Sequence, residues 1–334
     1  MTTTRISAVI CTYNRCHLLE ETIESLVVQS LDPTNYDIIV VDNASTDDTA
    51  QVVVDCQRKF SGHDIRLIRE NTLGLSHARN AGFRAAGGRY VAYLDDDALA
   101  TRRWLESGLE SFASASTPHP VAVVGPVFPR YPEGKPRWFN DRFETFNLGD
   151  SSFRLNERQS FMGGNSMFER SVLENLGGFD PQLGMNGDRL WLGEEVELLM
   201  RMRQQLGSKC CVVYDPRVKI LHAIPRKKLK TSYVLQRRFL NGRCRYAMAV
   251  KRGALQRPRL ALVSLAWIIW LCMSAGMHIF RYRSFRSWVT EKGAPIMVHA
   301  GMLSANLGCR ATKLWRDEPQ AASDDAQFVG SKAA

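Results

Sequence analysis

Three adjacent carboxylates at the end of an apolar run are the residues best placed to do chemistry in this chain. Asp95, Asp96 and Asp97 directly follow residues 90–94, whose sequence YVAYL predicts a buried β-strand. Carboxylates taken out of water together repel one another, and a cation that joins them removes this cost. In extended geometry Asp95 and Asp97 point the same way and can both reach one ion. Oxygen ligands suit Mg²⁺ or Mn²⁺. The alternative is a solvated acidic turn that caps the next helix.

A second acidic group begins a predicted helix later in the chain, with Glu194, Glu195 and Glu197 in its first turn. The residues three, four and seven positions after Glu195 are all apolar: Leu198, Leu199 and Met202. Burial on that side raises the pKa of Glu195 while the helix N-terminus lowers it, and such a carboxylate can act as a general base. The alternative is a glutamate that only caps the helix. Glu194 lies on a mixed side, and Glu197 is expected to form a surface pair with Arg201.

Two further polar residues stand at predicted strand and helix ends. Asp42 ends a β-branched run, where its carboxylate can accept a hydrogen bond from a base or ribose edge. The alternative is that Asp42 only makes a turn and that Ser45 caps the next helix. Arg79 lies near the start of a predicted helix, where outward-pointing amides help a cation to neutralise a diphosphate. The alternative for Arg79 is an ordinary surface position.

These groups need a scaffold, and the first 125 residues predict a regular one. Strands are predicted at residues 6–11, 38–41, 65–68, 90–94 and 121–124. Helices are predicted at residues 15–29, 47–60, 76–86 and 101–112, the second of them capped by Ser45 or Thr46. This alternation predicts an α/β fold with a mainly parallel sheet flanked by helices, whose ligands bind beyond the carboxyl ends of the strands. Residues 126–160, rich in proline and aromatic residues, predict a long, partly ordered loop over the site.

The order of seven short motifs resembles family 2 glycosyltransferases, which have the GT-A fold. The motifs lie within residues 5–222 and read CTYNR, VVDNASTDDT, GLSHARNAG, YLDDDA, GGNSMF, GGFD and WLGEEVEL. Each motif alone is weak, but seven in the family's order and at fitting spacing are specific. The resemblance implies a catalytic domain over residues 1–225 with a Rossmann-like nucleotide-binding half. It also implies an inverting transfer of sugar from a nucleotide-diphosphate sugar to an acceptor hydroxyl, of the bacterial surface-polysaccharide or glycolipid type.

The resemblance further implies roles for individual residues. Asp97 is expected to hold a Mn²⁺ or Mg²⁺ ion at the donor diphosphate, with Asp95 and His222 as further ligands. The family's base is the second residue of a Glu-Asp pair; the pair here is Glu194-Glu195, so Glu195 is expected to be the base and Glu194 is the other candidate. The residues expected on the donor side are Thr12, Tyr13, Asn14, Arg15, Asp42, Arg79, Asn80, Asp95 and Asp96. Those expected on the acceptor side are Gly163, Gly164, Asn165 and Trp191.

The positive charge of the chain is concentrated in one segment. The net charge is +10, yet residues 216–290 hold 17 lysines and arginines and no acidic residue, so the remainder is net acidic. Residues 260–280 carry no formal charge and are long enough to span a bilayer. Arginines flank both ends, however, and Trp267 and Trp270 lie near the middle, which favours a helix that lies in or dips into the interface. A single span and a buried soluble helix are the alternatives.

We therefore expect three parts: the catalytic domain, a basic and apolar helical extension at residues 226–316, and a disordered tail at residues 317–334. The start of the chain has no secretory signal pattern, which places the catalytic part on the cytoplasmic face of the inner membrane, either peripheral, re-entrant or single-pass. Residues 226–290 are expected to meet anionic headgroups. The acceptor is expected to be a sugar or a lipid-linked compound, and a lipid-linked acceptor would share one surface with the enzyme.

Other classes of function fit the sequence less well. A sugar nucleotidyltransferase also joins an α/β sheet to acidic metal ligands, but it would carry a basic, glycine-rich loop after the first strand, where this chain has CTYNRCH. A dehydrogenase would carry GxGxxG there. A non-catalytic polysaccharide or nucleic-acid binding protein could use the basic segment, but the acidic residues would remain unexplained and aromatics in that segment are few, so no nucleic-acid partner is expected. The eight cysteines form no CxxC pair and show no zinc spacing.

Overall fold

The computed structural model describes residues 5–114, 117–187, 193–251, 257–277, 282 and 284–308. Its strands are β1 (Ile6–Thr12), β2 (Tyr36–Asp42), β3 (Ile65–Arg69), β4 (Tyr90–Asp95), β5 (Ala98–Ala100), β6 (Ala122–Val124), β7 (Val127–Arg130), β8 (Phe153–Arg154), β9 (Asn165–Glu169), β10 (Val212–Tyr214) and β11 (Ile220–Ala223). Its helices are α1 (Cys16–Val27), α2 (Thr49–Lys59), α3 (Leu75–Ala85), α4 (Trp104–Phe112), α5 (Arg170–Leu176), α6 (Glu194–Leu206), α7 (Thr231–Lys251), α8 (Arg257–Met277) and α9 (Phe285–Asn306).

The strands form two sheets. The large sheet has the order β3-β2-β1-β4-β9-β6-β10-β8, and the small sheet has the order β5-β11-β7. Strands β3, β2, β1 and β4 run parallel, which confirms the predicted Rossmann-like half. Strand β9 was not predicted from the alternation and runs antiparallel to both β4 and β6, so the sheet is mixed beyond β4. The carboxyl ends of β1, β2 and β4 meet at one edge, where Thr12, Asp42 and Asp95 lie.

Both faces of the large sheet are covered, which explains why its parallel strands are apolar along their whole length. Ile10 of β1 packs into one core cluster with Leu19 of α1 and Trp104 of α4. Its neighbour Val9 points to the opposite face and joins a second cluster, which includes Leu198 of α6. Because successive side chains of a strand alternate between the two cores, a shift of one residue in strand register would move each side chain into the opposite core, where the packing differs. The strand ends that carry the polar residues are therefore fixed in position.

The predicted cap of α2 is wrong. The helix begins at Thr49, after Asp48 at the N-cap position. Ser45 is held within the loop instead, because its hydroxyl accepts a hydrogen bond from Asn14 N at 3.0 Å and its N–H donates to Asp42 Oδ1 at 2.9 Å. A serine that satisfies neighbouring loops is no longer free to cap a helix. These contacts tie the loop after β1 to the loop after β2.

The segment predicted as a long loop, residues 126–160, contains β7, β8 and a turn of 3₁₀ helix at Asp141–Phe143. Its aromatic residues enter a third apolar cluster with the C-terminal part, composed of Phe139, Phe143, Ile224, Leu229, Val234 and Ala294. Both carboxylate oxygens of Glu144 accept hydrogen bonds from Arg237 of α7, at 2.7 and 2.6 Å. An apolar cluster and a bidentate ion pair therefore join the residues on either side of the predicted boundary at 225.

The helices α7, α8 and α9 form the basic and apolar C-terminal part, in which α9 packs against both α7 and α8. A Cβ atom at Gly242 would lie 1.9 Å from Val298 O, and one at Gly301 would lie 2.0 Å from Phe239 O, so glycine allows the backbones of α7 and α9 to approach this closely. By length and composition alone, α8 could cross a membrane, although a single helix of this kind is weak evidence. The predicted tail, residues 317–334, lies outside the described residues.

Candidate active site

The acidic triplet lies where β4 ends and the chain turns into β5. Strand β11 pairs antiparallel with β5 and places His222 opposite Ala98, directly beside the triplet. One ligand atom from each of Asp95, Asp97 and His222 lies within 4.8 Å of the other two. The three residues expected to hold a metal ion are thus brought together from the end of β4, the turn that follows it, and β11.

The electrostatics of the triplet differ from one carboxylate to the next. Nη1 of Arg15 lies 2.8 Å from Asp96 Oδ1 and 3.0 Å from Asp97 Oδ2. Burial raises the pKa of Asp96 to about 6, although Arg15 opposes this shift. Burial also acts to raise the pKa of Asp97, but His222, Lys228 and Arg15 outweigh it and hold that pKa well below its usual range. Asp97 is therefore the carboxylate that keeps its negative charge in the buried site.

The residues present fit a divalent cation. The side chain of Asp97 is buried, and Nε2 of His222 lies 3.0 Å from its Oδ1, so an oxygen ligand and a nitrogen ligand stand side by side. Asp97 keeps its negative charge in this buried position, and a cation would relieve the cost of burying that charge. Two carboxylates and an imidazole suit Mn²⁺, and carboxylates alone suit Mg²⁺ as well.

The acidic residues of α6 form a second cluster close to the first. The N–H of Gly163 donates to Glu195 Oε1 at 3.1 Å. Burial, followed by the neighbouring carboxylate of Glu194, raises the pKa of Glu195 to about 7, while Arg79 opposes the shift. Nη1 of Arg79 lies 3.1 Å from Glu194 Oε1, and both side chains are buried. Glu195 is thus the carboxylate whose environment suits a general base, as its apolar neighbours predicted.

Burial excludes the surface alternative for Arg79 and contradicts the surface pair expected for Glu197. Arg79 is 3% exposed, and its guanidinium is paired with Glu194. Glu197 is 2% exposed, and both of its oxygens accept hydrogen bonds from Nε of Arg201 at 2.9 Å. The same arginine donates to the carbonyl groups of Leu176 and Gly178, so this pair anchors α6 to the end of α5. The i to i+4 spacing correctly predicted that Glu197 pairs with Arg201, but it did not predict that Glu197 is buried.

The expected donor side is a network between the loops after β1 and β2. Asn14 has a φ of 52° and accepts a hydrogen bond from Thr46 N at 2.7 Å through Oδ1. The carboxylate of Asp42 is buried and accepts hydrogen bonds from Ser45 N and from Arg69. Arg69, which the sequence interpretation missed, pairs with Asp42 in the β2–β3 register. Asp42 therefore has structural partners at the strand end where a base or ribose was expected.

Two of the expected ligand-contacting amides have structural roles instead. Asn80 donates to Phe179 O and accepts from Phe179 N, both at 2.8 Å. Asn165 accepts from Trp104 Nε1 at 2.8 Å and donates to the carbonyl groups of Pro126 and Val218. Buried amide side chains need hydrogen-bond partners. Here the main chain and the indole of Trp104 supply those partners to Asn80 and Asn165. The remaining acceptor-side tryptophan, at position 191, lies outside the described residues.

The glycine pair Gly163–Gly164 separates the two acidic clusters. A Cβ atom at Gly164 would lie 1.9 Å from Asp95 Oδ2, and one at Gly163 would lie 2.5 Å from Arg79 Nη2 and 2.7 Å from Glu195 Oε1. Nη2 of Arg79 is itself 4.0 Å from Asp95 Oδ1. Gly163 and Gly164 therefore lie between the expected metal ligands and the expected base, and neither position has room for a side chain.

Gly164→Ala should weaken Mn²⁺ binding, because the added methyl group would displace the carboxylate of Asp95. Misplacement of a site residue by about 1 Å can cost roughly 10²-fold in function. Titration with Mn²⁺, followed by electron paramagnetic resonance, measures the effect directly. Gly62→Ala is the matched control, because a Cβ atom there meets nothing within 4 Å. Equal Mn²⁺ affinity in the two variants would show that Asp95 does not depend on this glycine.

Residues at the start of the C-terminal part also face the site, and the sequence interpretation assigned them to a membrane surface instead. Burial lowers the pKa of Lys228, against the opposing effect of Asp97. Burial also raises the pKa of Tyr233, whose charged neighbours include Arg237, Arg15 and Asp97. Lys228 lies six residues after His222, and this short spacing is the one sequence feature that connects it with the site.

Solved structures with this architecture are glycosyltransferases of the GT-A fold. The chain is similar to the mannosyltransferase PcManGT from Pyrobaculum calidifontis in complex with GDP-Man and Mn²⁺, with a TM-score of 0.60, 20% identity, and coverage of 90% of this chain and 87% of that one. It is also similar to S. aureus TarS 1–349 in complex with UDP, with a TM-score of 0.52, 14% identity, and coverage of 91% and 92%. At these identities the likeness shows the fold.

The family follows from the sequence match. The family model for glycosyl transferase family 2 matches residues 7–177, and the chain belongs to this family of glycosyltransferases. A glucosyl-dolichyl phosphate glucuronosyltransferase of Haloferax volcanii is 28% identical over 245 residues, which are 71% of this chain and 75% of that protein. The succinoglycan biosynthesis protein ExoM of Rhizobium meliloti is 26% identical over 312 residues, which are 92% and 94% of the two chains.

Proposed function

We propose that this glycosyltransferase transfers a sugar from a nucleotide-diphosphate sugar to an acceptor hydroxyl, with inversion and with the help of Mn²⁺ or Mg²⁺. The observation that carries the proposal is the pair of acidic clusters on either side of Gly163–Gly164. One cluster has the ligands for a cation, and the other holds a carboxylate with a pKa of about 7. The complexes of similar proteins with GDP-Man and Mn²⁺ and with UDP support the choice of donor class.

The mechanism assigns each chemical task to a residue. Glu195 takes the proton of the acceptor hydroxyl while that oxygen attacks the anomeric carbon from the face opposite the leaving group. Arg79 pairs with Glu194, and the neighbouring carboxylate of Glu194 helps to make Glu195 basic near neutral pH. A bound divalent cation would neutralise the charge of the departing diphosphate. Arg15 and Lys228 face the same acidic triplet and add positive charge around it.

A panel of nucleotide sugars tests the proposal. Release of nucleoside diphosphate should depend on one or a few donors, should require Mn²⁺ or Mg²⁺, and should stop when a chelator is added in excess. Nuclear magnetic resonance of the product should show the anomeric configuration opposite to that of the donor. Formation of a nucleotide sugar and pyrophosphate from a nucleoside triphosphate and a sugar 1-phosphate, without transfer from any nucleotide sugar, would identify a nucleotidyltransferase. Full activity in chelator would contradict the role of the cation.

The pH dependence of transfer follows from the raised pKa of Glu195. A base must be deprotonated, so the rate should increase as the pH rises through about 7 and fall below it. Glu194→Gln should move this midpoint to lower pH, because it removes a repelling carboxylate and leaves Arg79 free to stabilise the ionised form of Glu195. Initial rates at saturating donor between mildly acidic and mildly basic pH measure both midpoints. A midpoint unchanged by Glu194→Gln would contradict the coupling.

We further propose that the protein works at the cytoplasmic face of a membrane, through residues 226–290. Apolar side chains of α8 are exposed around most of the helix: Leu262, Val263, Leu265, Trp267, Ile269, Trp270 and Met273. Among the side chains of α8 that the structure describes, only a narrow stripe that includes Leu260, Ser264 and Ala275 is buried. A helix lying flat at the interface would present a polar face to water, so this distribution favours immersion in the apolar layer. The two curated relatives described above, named for dolichyl phosphate and for succinoglycan, support a glycolipid or polysaccharide context.

The double variant Ile269→Gln, Met273→Gln should move the protein from the membrane fraction to the supernatant. Both side chains are exposed, so the change should leave the fold intact while it makes immersion of α8 costly. Fractionation of cell lysate at low salt measures the distribution, and Val28→Gln, an equally exposed apolar position on the catalytic part, is the control. High salt should release a protein that is held only by charge. A wild-type protein that stays in the supernatant beside membranes would rule out this proposal.

A further inference from the structure

Positive charge on α7 is only partly balanced by carboxylates. Arg237 is neutralised by Glu144, and Nη2 of the nearby Arg142 lies 2.7 Å from Glu291 Oε2. Arg238 and Arg245 have no carboxylate within salt-bridge distance among the residues that the structure describes. The two arginines are seven positions apart, which is close to two helical turns and places them on one face of α7.

Arg238 is held in a partly buried position without an acidic partner. Its Nη2 donates to the carbonyl oxygen of Phe143 at 3.3 Å, and its guanidinium lies 5.8 Å from the centre of the Phe143 ring. Burial, followed by the neighbouring charge of Arg237, lowers the pKa of Arg238, and Arg245 and Arg142 act in the same direction. Arginine nevertheless remains charged in proteins. Clustered cations that cannot lose their protons are stabilised by a bound anion.

The cluster lies between the candidate base and the apolar helix. Burial raises the pKa of Cys244, and the carboxylates of Glu195 and Glu194 add to this shift, so α7 passes beside the base at this point. Burial, with a further contribution from Arg245, lowers the pKa of His299 of α9. The ring of His299 stacks on Trp267 of α8, with 5.7 Å between ring centroids. Cys244 therefore marks the part of α7 next to the base, and Arg245 follows it in the chain and lies near His299, which stacks on the apolar helix α8.

We propose that Arg238 and Arg245 bind the phosphate group of a lipid-linked acceptor. Guanidinium groups bind phosphate oxygens with paired, charge-assisted hydrogen bonds, and two unpaired arginines on one helix face can share one phosphate. The apolar surface of α8 then receives the hydrocarbon chain, while the acceptor sugar extends toward Glu195. This inference rests on the proposed transferase function and specifies the chemical class of its acceptor.

Binding to vesicles of defined composition tests the inference. We expect the full-length protein to bind phosphatidylcholine vesicles that contain a polyprenyl monophosphate more tightly than vesicles with an equal fraction of phosphatidylglycerol. Arg238→Gln and Arg245→Gln should each weaken the first interaction by about tenfold to a hundredfold, the range expected when a charged hydrogen bond is lost. Arg58→Gln removes the same charge from an exposed position on α2 and should leave binding unchanged. Inorganic phosphate in solution should compete only weakly, because it lacks the hydrocarbon chain.

Three outcomes would overturn the inference. Both variants could retain wild-type affinity for the polyprenyl phosphate vesicles, or both vesicle types could bind equally and lose affinity together, which would identify a general headgroup surface. Inorganic phosphate could also compete fully, which would identify a soluble phosphate site. Arg245→Gln guards against a folding artefact, because Arg245 is exposed, whereas Arg238 donates a hydrogen bond to the carbonyl oxygen of Phe143. Slow, cation-dependent release of nucleoside diphosphate without acceptor is measured in parallel: its absence in the wild type would count against the proposed function, whereas its retention in both variants isolates the acceptor site.

Discussion

Asp97→Asn should reduce sugar transfer by roughly 10³-fold or more while the protein remains folded. The carboxylate of Asp97 is buried, keeps its negative charge and lies with Oδ1 3.0 Å from Nε2 of His222. An amide has almost the same shape but lacks the charge that holds a divalent cation. The fold should persist because the hydrogen bond from Ala223 N to the main-chain oxygen of Asp97, at 2.7 Å, does not involve the side chain. Initial rates at saturating Mn²⁺, with a thermal unfolding curve, measure both effects.

The control for this variant removes one carboxylate elsewhere. Asp55→Asn lies on the exposed surface of α2 and alters net charge by the same amount, so its transfer rate should equal that of the wild type. High Mn²⁺ should not restore Asp97→Asn if the ion needs this ligand for its position as well as for its affinity. Transfer by Asp97→Asn at near wild-type rate would place the cation elsewhere, and an unfolded variant would instead reveal a structural role for the charge.

The parallel half of the fold was predictable because its strands and helices are specified locally. Residues of β1 and β2 are apolar without interruption, and the acidic triplet follows β4 directly. Parallel strands buried on both faces produce this pattern whatever the loops contain. The carboxyl ends of such strands share one edge, so Asp42 and Asp95–Asp97 could be placed together from sequence alone. Strand β9 could not be placed from sequence alone, since its antiparallel pairing with β4 and β6 depends on contacts between residues far apart in the chain.

The remaining site differences come from long-range hydrogen bonds. The main-chain N–H and C=O of Phe179 form hydrogen bonds with the side-chain amide of Asn80. Sequence spacing gives no indication of these bonds, since the two residues are 99 positions apart. The burial of Glu197 depends on Arg201 reaching the end of α5, which helical periodicity within α6 does not reveal. Lys228 was assigned to the membrane segment because it lies in a basic run. In the structure the chain that follows β11 places Lys228 near Asp97, whose pKa it lowers. Local patterns predict elements; packing decides which polar residues remain available to ligands.

Glu195→Gln should lower the rate of transfer by about 10²–10⁴-fold, the range typical of a lost general base, with little change in donor affinity. The carboxylate of Glu195 accepts a hydrogen bond from Gly163 N at 3.1 Å, and glutamine can keep this contact through its amide oxygen. The substitution therefore removes the proton acceptor without opening a cavity. It should also abolish the rise in rate through about pH 7, because no group with that pKa remains to lose its proton. Rates and donor dissociation constants across the pH range measure these effects.

Glu194→Gln distinguishes the base from its neighbour. This substitution removes the partner of Arg79 but leaves the carboxylate of Glu195 in place, so it should slow transfer less than Glu195→Gln and retain a pH-dependent rise at lower pH. A buried arginine without its partner is costly, so Glu194→Gln should also unfold at a lower temperature than Glu195→Gln. If Glu194→Gln were inactive at every pH while Glu195→Gln transferred sugar at near wild-type rate, the base would be Glu194, one residue earlier. The two variants together therefore separate a carboxylate that accepts the proton from one that sets the electrostatic environment around it.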